Sequence, residues 1–104
     1  MLTPEQRNAK RVSQEHAAVR KVIRKLERAG WELDKLDDGE EWVYGADLLP
    51  TLFELDDAWV WFSKNGITHA VYFVFGNGAE DVVCDYSYCK DAGDSFSDTM
   101  ENIL

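Results

Sequence analysis

With 104 residues, 45% of them hydrophobic, the chain is long enough for one compact domain whose core needs neither disulfides nor a metal. No run approaches the roughly 20 apolar residues that cross a bilayer, and the N-terminus lacks the apolar region of a signal peptide, so a cytoplasmic protein with no membrane partner is expected. The formal charge of −9 is unevenly placed: residues 1–30 carry eight Lys and Arg against three Glu, a formal +5, whereas residues 31–104 carry three Lys against 17 acids, a formal −14.

Thr3-Pro4-Glu5-Gln6 reads as a helix start. Thr3 supplies the N-cap, Pro4 suits the first helical position, and Gln6 completes a capping box. Gly30 is the natural stop. Between them Ala9, Val12, His16, Val19, Ile23 and Leu26 recur at steps of three and four, forming an apolar stripe, with Lys10, Lys21, Arg24, Lys25 and Arg28 on the opposite side. Next, 31–36 and 41–44 flank Asp37-Asp38-Gly39-Glu40 and predict a hairpin. Asp47 is placed as the cap of a short helix through Leu55, with Pro50 in its first turn. Strands over 58–64 and 67–75 are joined by Asn65-Gly66, the preferred type I′ turn pair. A third strand, 81–88, would turn Val82, Cys84, Tyr86 and Tyr88 to one face. Ser95 with Asp98 signals a C-terminal helix. The sum is a single α+β domain over 1–104: a long N-terminal amphipathic helix, an antiparallel sheet of about five strands, and short middle and C-terminal helices. Three strand orders fit this pattern.

Residues that carry chemistry are few. Cys84 and Cys89, five positions apart, suit neither a redox pair nor a zinc pair and are read as free thiols. Cys84 and His69 fall on neighbouring strands, but no oriented third group or nucleophile turn accompanies them. A buried cysteine and a partly buried histidine are expected instead, and no enzyme. The acids Asp91, Asp94 and Asp98, and the turn acids 37–41, do not follow calcium-loop spacing, so neither metal nor cofactor is expected. His16 on the apolar stripe is a group that could set register in a homodimer paired along the first helix. The basic helix face is a candidate for nucleic acid, opposed by the −14 of the rest.

The acidic remainder points to a protein partner. Fixed carboxylates on a folded surface imitate phosphates and steer a protein to a basic groove. Aromatics are dense beside them, and in Trp59-Val60-Trp61-Phe62 both faces of one strand are apolar. Either helices cover both faces of the sheet or some rings are exposed, as at protein-binding surfaces. The candidate partner-binding residues are therefore Asp37, Asp38, Glu40, Glu41, Trp42, Asp56, Asp57, Trp59, Trp61, Glu80, Asp81 and Asp85.

In size, acidity and α+β pattern the chain resembles small accessory proteins of bacteriophages and other mobile elements, anti-CRISPR and anti-restriction inhibitors among them. The 14 residues Phe73-Val74-Phe75-Gly76-Asn77-Gly78-Ala79-Glu80-Asp81-Val82-Val83-Cys84-Asp85-Tyr86 are similar to segments of phage proteins. The resemblance implies a non-enzymatic inhibitor of a host nucleic-acid-processing complex and transfers no individual site residue. Self-association through the first helix and nucleic-acid binding through its basic face are the alternatives.

Overall fold

In a computed structural model of the chain, which describes residues 1–87 and 96–104, helix α1 spans Pro4–Arg28. Its start is the capping box: Gln6 N donates to Thr3 Oγ1 at 3.1 Å, and Thr3 N donates to Gln6 Oε1 at 2.9 Å. Its end is a Schellman closure, in which Gly30 N donates to the Glu27 carbonyl and Trp31 N to that of Leu26. Gly30 has φ +93°, and Lys64 Nζ donates to the Ala29 carbonyl at 2.9 Å, satisfying a helix-end acceptor with a cation.

Hairpin β1 (Glu32–Asp37) and β2 (Trp42–Tyr44) follows as the alternation requires. A 3-10 turn over Gly45–Asp47 then runs into α2 (Leu48–Leu52). The expectation that Asp47 caps this helix is corrected. Asp47 has helical φ and ψ because the chain enters through that 3-10 turn, so its side chain is not set back to reach the next amides and makes no cap bond. The helix also stops at Leu52, before the expected Leu55.

Strands β3 (Asp57–Lys64) and β4 (Ile67–Val74) form the centre of the sheet, joined by Asn65 at φ 53° and Gly66 at φ 80°, as a type I′ turn demands. Strand β5 (Val83–Tyr86) starts later than expected because Ala79–Asp81 closes a 3-10 turn first. Helix α3 covers Phe96–Ile103. The expected cap Ser95, with Tyr88, Cys89, Asp91 and Asp94, lies outside the described residues.

The strand order is β2-β1-β3-β4-β5, antiparallel at each pairing. One face carries Leu36, Val60, Phe62, Val71 and Phe73, all fully buried against Val19, Ile23 and Leu26 of α1, Leu48 and Leu52 of α2, and Phe96 and Met100 of α3. Each such side chain contributes on the order of 1.5–3 kcal/mol by leaving water. All three helices thus supply this one core.

The apolar stripe of α1 is only partly used. Val19, Val22, Ile23 and Leu26 are buried, whereas Ala9 is exposed and Val12 half-buried. Residues 1–10 are all exposed, so the first turns of the helix lie outside the core.

Candidate protein-binding face

Side chains alternate across a strand, so the residues between the core positions stand on the opposite face, which no helix among the described residues covers. The registers align them into rows. Trp42, Asp37, Trp59, Tyr72 and Asp85 are successive cross-strand partners from β2 to β5. Tyr44, Lys35, Trp61 and Ala70 form a second row beside it. The sequence left two outcomes for the Trp59–Phe62 strand, and the second holds: Val60 and Phe62 are in the core, and Trp59 faces out.

The open face is rich in exposed rings. Trp42 is 45% exposed, Tyr44 56% and Trp59 37%. Trp59 stacks on Tyr72 with centroids 4.9 Å apart and planes at 22°. Trp42 and Trp61 meet edge to face at 6.3 Å, with Lys35 Nζ 4.3 Å from the Trp42 centroid and 5.9 Å from that of Trp61. The Asp57 carboxylate hydrogen-bonds the Tyr72 hydroxyl, which with desolvation raises the phenol above its ordinary 10.0. These contacts fix the rings in place before any partner arrives, which lowers the ordering cost of binding.

The β1–β2 turn lies at the edge of this face, and its acids divide into two kinds. Asp37 Oδ1 accepts from Gly39 N at 2.8 Å, and Asp38 Oδ1 accepts from Glu40 N at 2.8 Å and Glu41 N at 2.7 Å. Those backbone donors hold the Asp38 carboxyl below its ordinary 3.8. Asp37 and Asp38 therefore build the turn, whereas the exposed Glu40 and Glu41 accept no such bond within it.

Of the twelve residues singled out from the sequence, Asp37, Trp42, Asp57, Trp59, Trp61 and Asp85 share the open face, with Asp38, Glu40 and Glu41 on its rim. Asp56 precedes β3, where its carbonyl accepts from Phe75 N at 2.9 Å. Glu80 and Asp81 lie elsewhere, in the 3-10 turn that packs on α1. The cations Lys10, Lys21, Arg24 and Arg28 are exposed and Lys25 is half-buried, all on α1 and away from the open face. Among the described residues none of these five is ion-paired.

Compared with known proteins, the chain matches no family model, no curated protein and no solved structure. The case therefore rests on this chain's own geometry.

Two expectations about reactive groups are revised by that geometry. Cys84 is exposed, not buried. The β4–β5 register shifts between Tyr72 and Phe73, leaving Cys84 as the extra residue of a bulge and breaking the assumed alternation. His69 is on the core face, its Nδ1 2.7 Å from Ser87 Oγ and its ring stacked on Phe96 at 4.7 Å.

His16, the candidate register residue of a paired helix, is engaged within its own chain. It stacks on Phe53 at 4.1 Å and meets Phe75 edge-on at 5.7 Å. Burial, then the nearby Arg20, lower its pKa against an opposing pull from Glu15.

Sequence reasoning missed three residues: Lys35, Tyr72 and Glu15. Tyr72 and Lys35 gain their roles from cross-strand neighbours. Glu15 carried a local signal, because it falls three or four positions from Val12 and Val19 and so lies among the apolar positions of α1. It is 1% exposed, accepts from Gly76 N at 2.7 Å and Gly78 N at 3.0 Å, and lies 3.5 Å from Arg11 Nε. The adjoining cavity, lined by Arg11, His16, Phe53 and Phe75 among others, has a volume of about 190 Å³. That is below the usual range of roughly 300–1,000 Å³ for a ligand pocket.

Proposed function

We propose that this chain is a non-enzymatic protein-binding module whose open sheet face docks on a basic surface of another protein. Its target class is a nucleic-acid-binding groove on a host protein, the mode of action of phage-type inhibitors. The observation that carries the reading is the row Trp42–Asp37–Trp59–Tyr72–Asp85, which interleaves rings with carboxylates on the open face. Large, pre-positioned rings supply anchoring area, and the surrounding acids steer the approach and reject acidic partners. The same acids argue against nucleic acid on this face, since phosphates would meet Asp37, Asp57 and Asp85.

The test is a tagged pull-down at low and moderate salt, comparing the natural protein with a Glu40→Lys/Glu41→Lys/Asp85→Lys variant. Asp37 and Asp38 are left intact because reversing them would dismantle the turn. The expected result is a nucleic-acid-binding protein whose recovery falls as salt rises and drops at least tenfold in the variant. Capture indifferent to both salt and charge reversal would refute the acidic-face reading.

A further inference from the structure

We infer that Asn65 is a site of spontaneous deamidation, whereas Asn77, in the same Asn-Gly sequence, is held unreactive by Glu15. The pairs Asn65-Gly66 and Asn77-Gly78 are alike in sequence, and both asparagines are exposed. The difference between them lies in what holds the glycine amide.

The step needs only solvent. The Gly amide nitrogen, losing its proton to water or hydroxide, attacks Cγ of the preceding Asn. The side-chain amide leaves as ammonia and a five-membered succinimide closes. Water then adds to either carbonyl of that ring and opens it to aspartate or isoaspartate. Glycine favours the step because it has no Cβ to hinder the approach of its nitrogen.

At Gly78 that nitrogen is engaged. Its N–H donates to Glu15 Oε2 at 3.0 Å, and Gly76 N donates to the same oxygen at 2.7 Å. One buried carboxylate thus pins the backbone on both sides of Asn77. Ring closure removes the Gly78 proton, which sets an amidate anion against this carboxylate and strips a donor from a buried charge. Gly66 is placed differently, exposed in the type I′ turn at φ 80°. Among the described residues no acceptor holds its N–H, and the space where a side chain would stand is open. The turn still has to flex for Gly66 N to reach Asn65 Cγ, so reaction there is slower than in an unfolded chain. Isoaspartate would add a backbone methylene to a two-residue turn whose length fixes the β3–β4 register, and either product adds a negative charge next to Lys64.

The natural protein is incubated in mildly alkaline buffer, folded and in guanidinium chloride. Peptide mapping by mass spectrometry follows the gain of about 1 Da, and isoaspartate, at each asparagine. Dividing each folded-state rate by the same site's rate in denaturant removes the influence of flanking residues. The expected result is conversion at Asn65 and a corrected rate at Asn77 lower by roughly tenfold or more, the worth of one hydrogen bond to a charged acceptor. Glu15→Gln keeps an acceptor without the charge, and a thermal melt establishes that it is folded. It is expected to raise the Asn77 rate about threefold or more with Asn65 unchanged. Equal corrected rates at the two sites of the natural protein overturn the inference, whether or not the variant folds. So does an Asn65 that stays intact while the denatured chain converts, and so does an Asn77 rate that folded Glu15→Gln leaves unchanged.

Discussion

Replacing Glu15 with alanine is expected to destabilise the fold by about 3 kcal/mol, a fall in Tm of roughly 12–24 °C for a domain of this size. The carboxylate is buried and accepts the amides of both Gly76 and Gly78, which lie in the loop between β4 and β5. Those glycines have φ of +109° and +103°, so the backbone there is shaped to aim its N–H groups at one acceptor. Truncation leaves two amides without a partner and Arg11 without its carboxylate, and desolvated donors cost far more than the net value of the bonds lost. Glu15→Gln keeps an acceptor in place and is expected to recover about half of the loss, because charge-assisted bonds are roughly twice as strong as neutral ones. Thermal and urea denaturation of the two variants measures both effects. An alanine variant within 0.5 kcal/mol of the natural protein would show that the loop is held by other contacts.

The second large effect concerns binding. The double variant Trp42→Ala/Trp59→Ala is expected to weaken partner binding by about 3 kcal/mol, or more than a hundredfold, while lowering stability by only about 1–2 kcal/mol. Both rings are substantially exposed and contribute to the fold chiefly through one ring contact each, Trp59 with Tyr72 and Trp42 with Trp61. At an interface the same rings are fully desolvated, so truncation there removes far more buried area than it removes from the free protein. Calorimetric titration against the captured partner, beside a thermal melt, separates the two quantities. Loss of binding in proportion to loss of stability would mean that the rings support the fold and not the contact.

The contrast between these variants reflects what is written locally in this sequence. Thr3 with Gln6, Gly30, and Asn65-Gly66 act over three to six residues, so helix start, helix stop and central turn were legible without tertiary knowledge. The run Trp59-Val60-Trp61-Phe62 likewise reads as a strand with two apolar faces, although only the stacking order of the layers decides which face meets water. In the sequence Glu15 stands merely as one of three acids on a basic helix, because its partners are 61 and 63 residues further along the chain. Cys84 is expected to be buried because free cysteines usually are, and the bulge in which it stands exposed exists only in the pairing with β4. The twelve acidic and aromatic candidates were chosen as a composition. Pairing sorts them into six on the open face, three on its rim and three outside it, and adds Lys35 and Tyr72. Asp37 and Asp38, read as binding acids alike, proved to be turn acceptors whose replacement needs care in any charge-reversal experiment.

The most direct measurement is hydroxyl-radical footprinting of the chain alone and in complex with the captured partner, beside amine labelling of its lysines. The open-face account predicts that oxidation of Trp42, Tyr44 and Trp59 falls at least severalfold on binding, while labelling of Lys10 and Lys21 on the helix layer is unchanged. Protection of those lysines with the three rings still fully reactive would contradict it and move the interface to the basic face of α1.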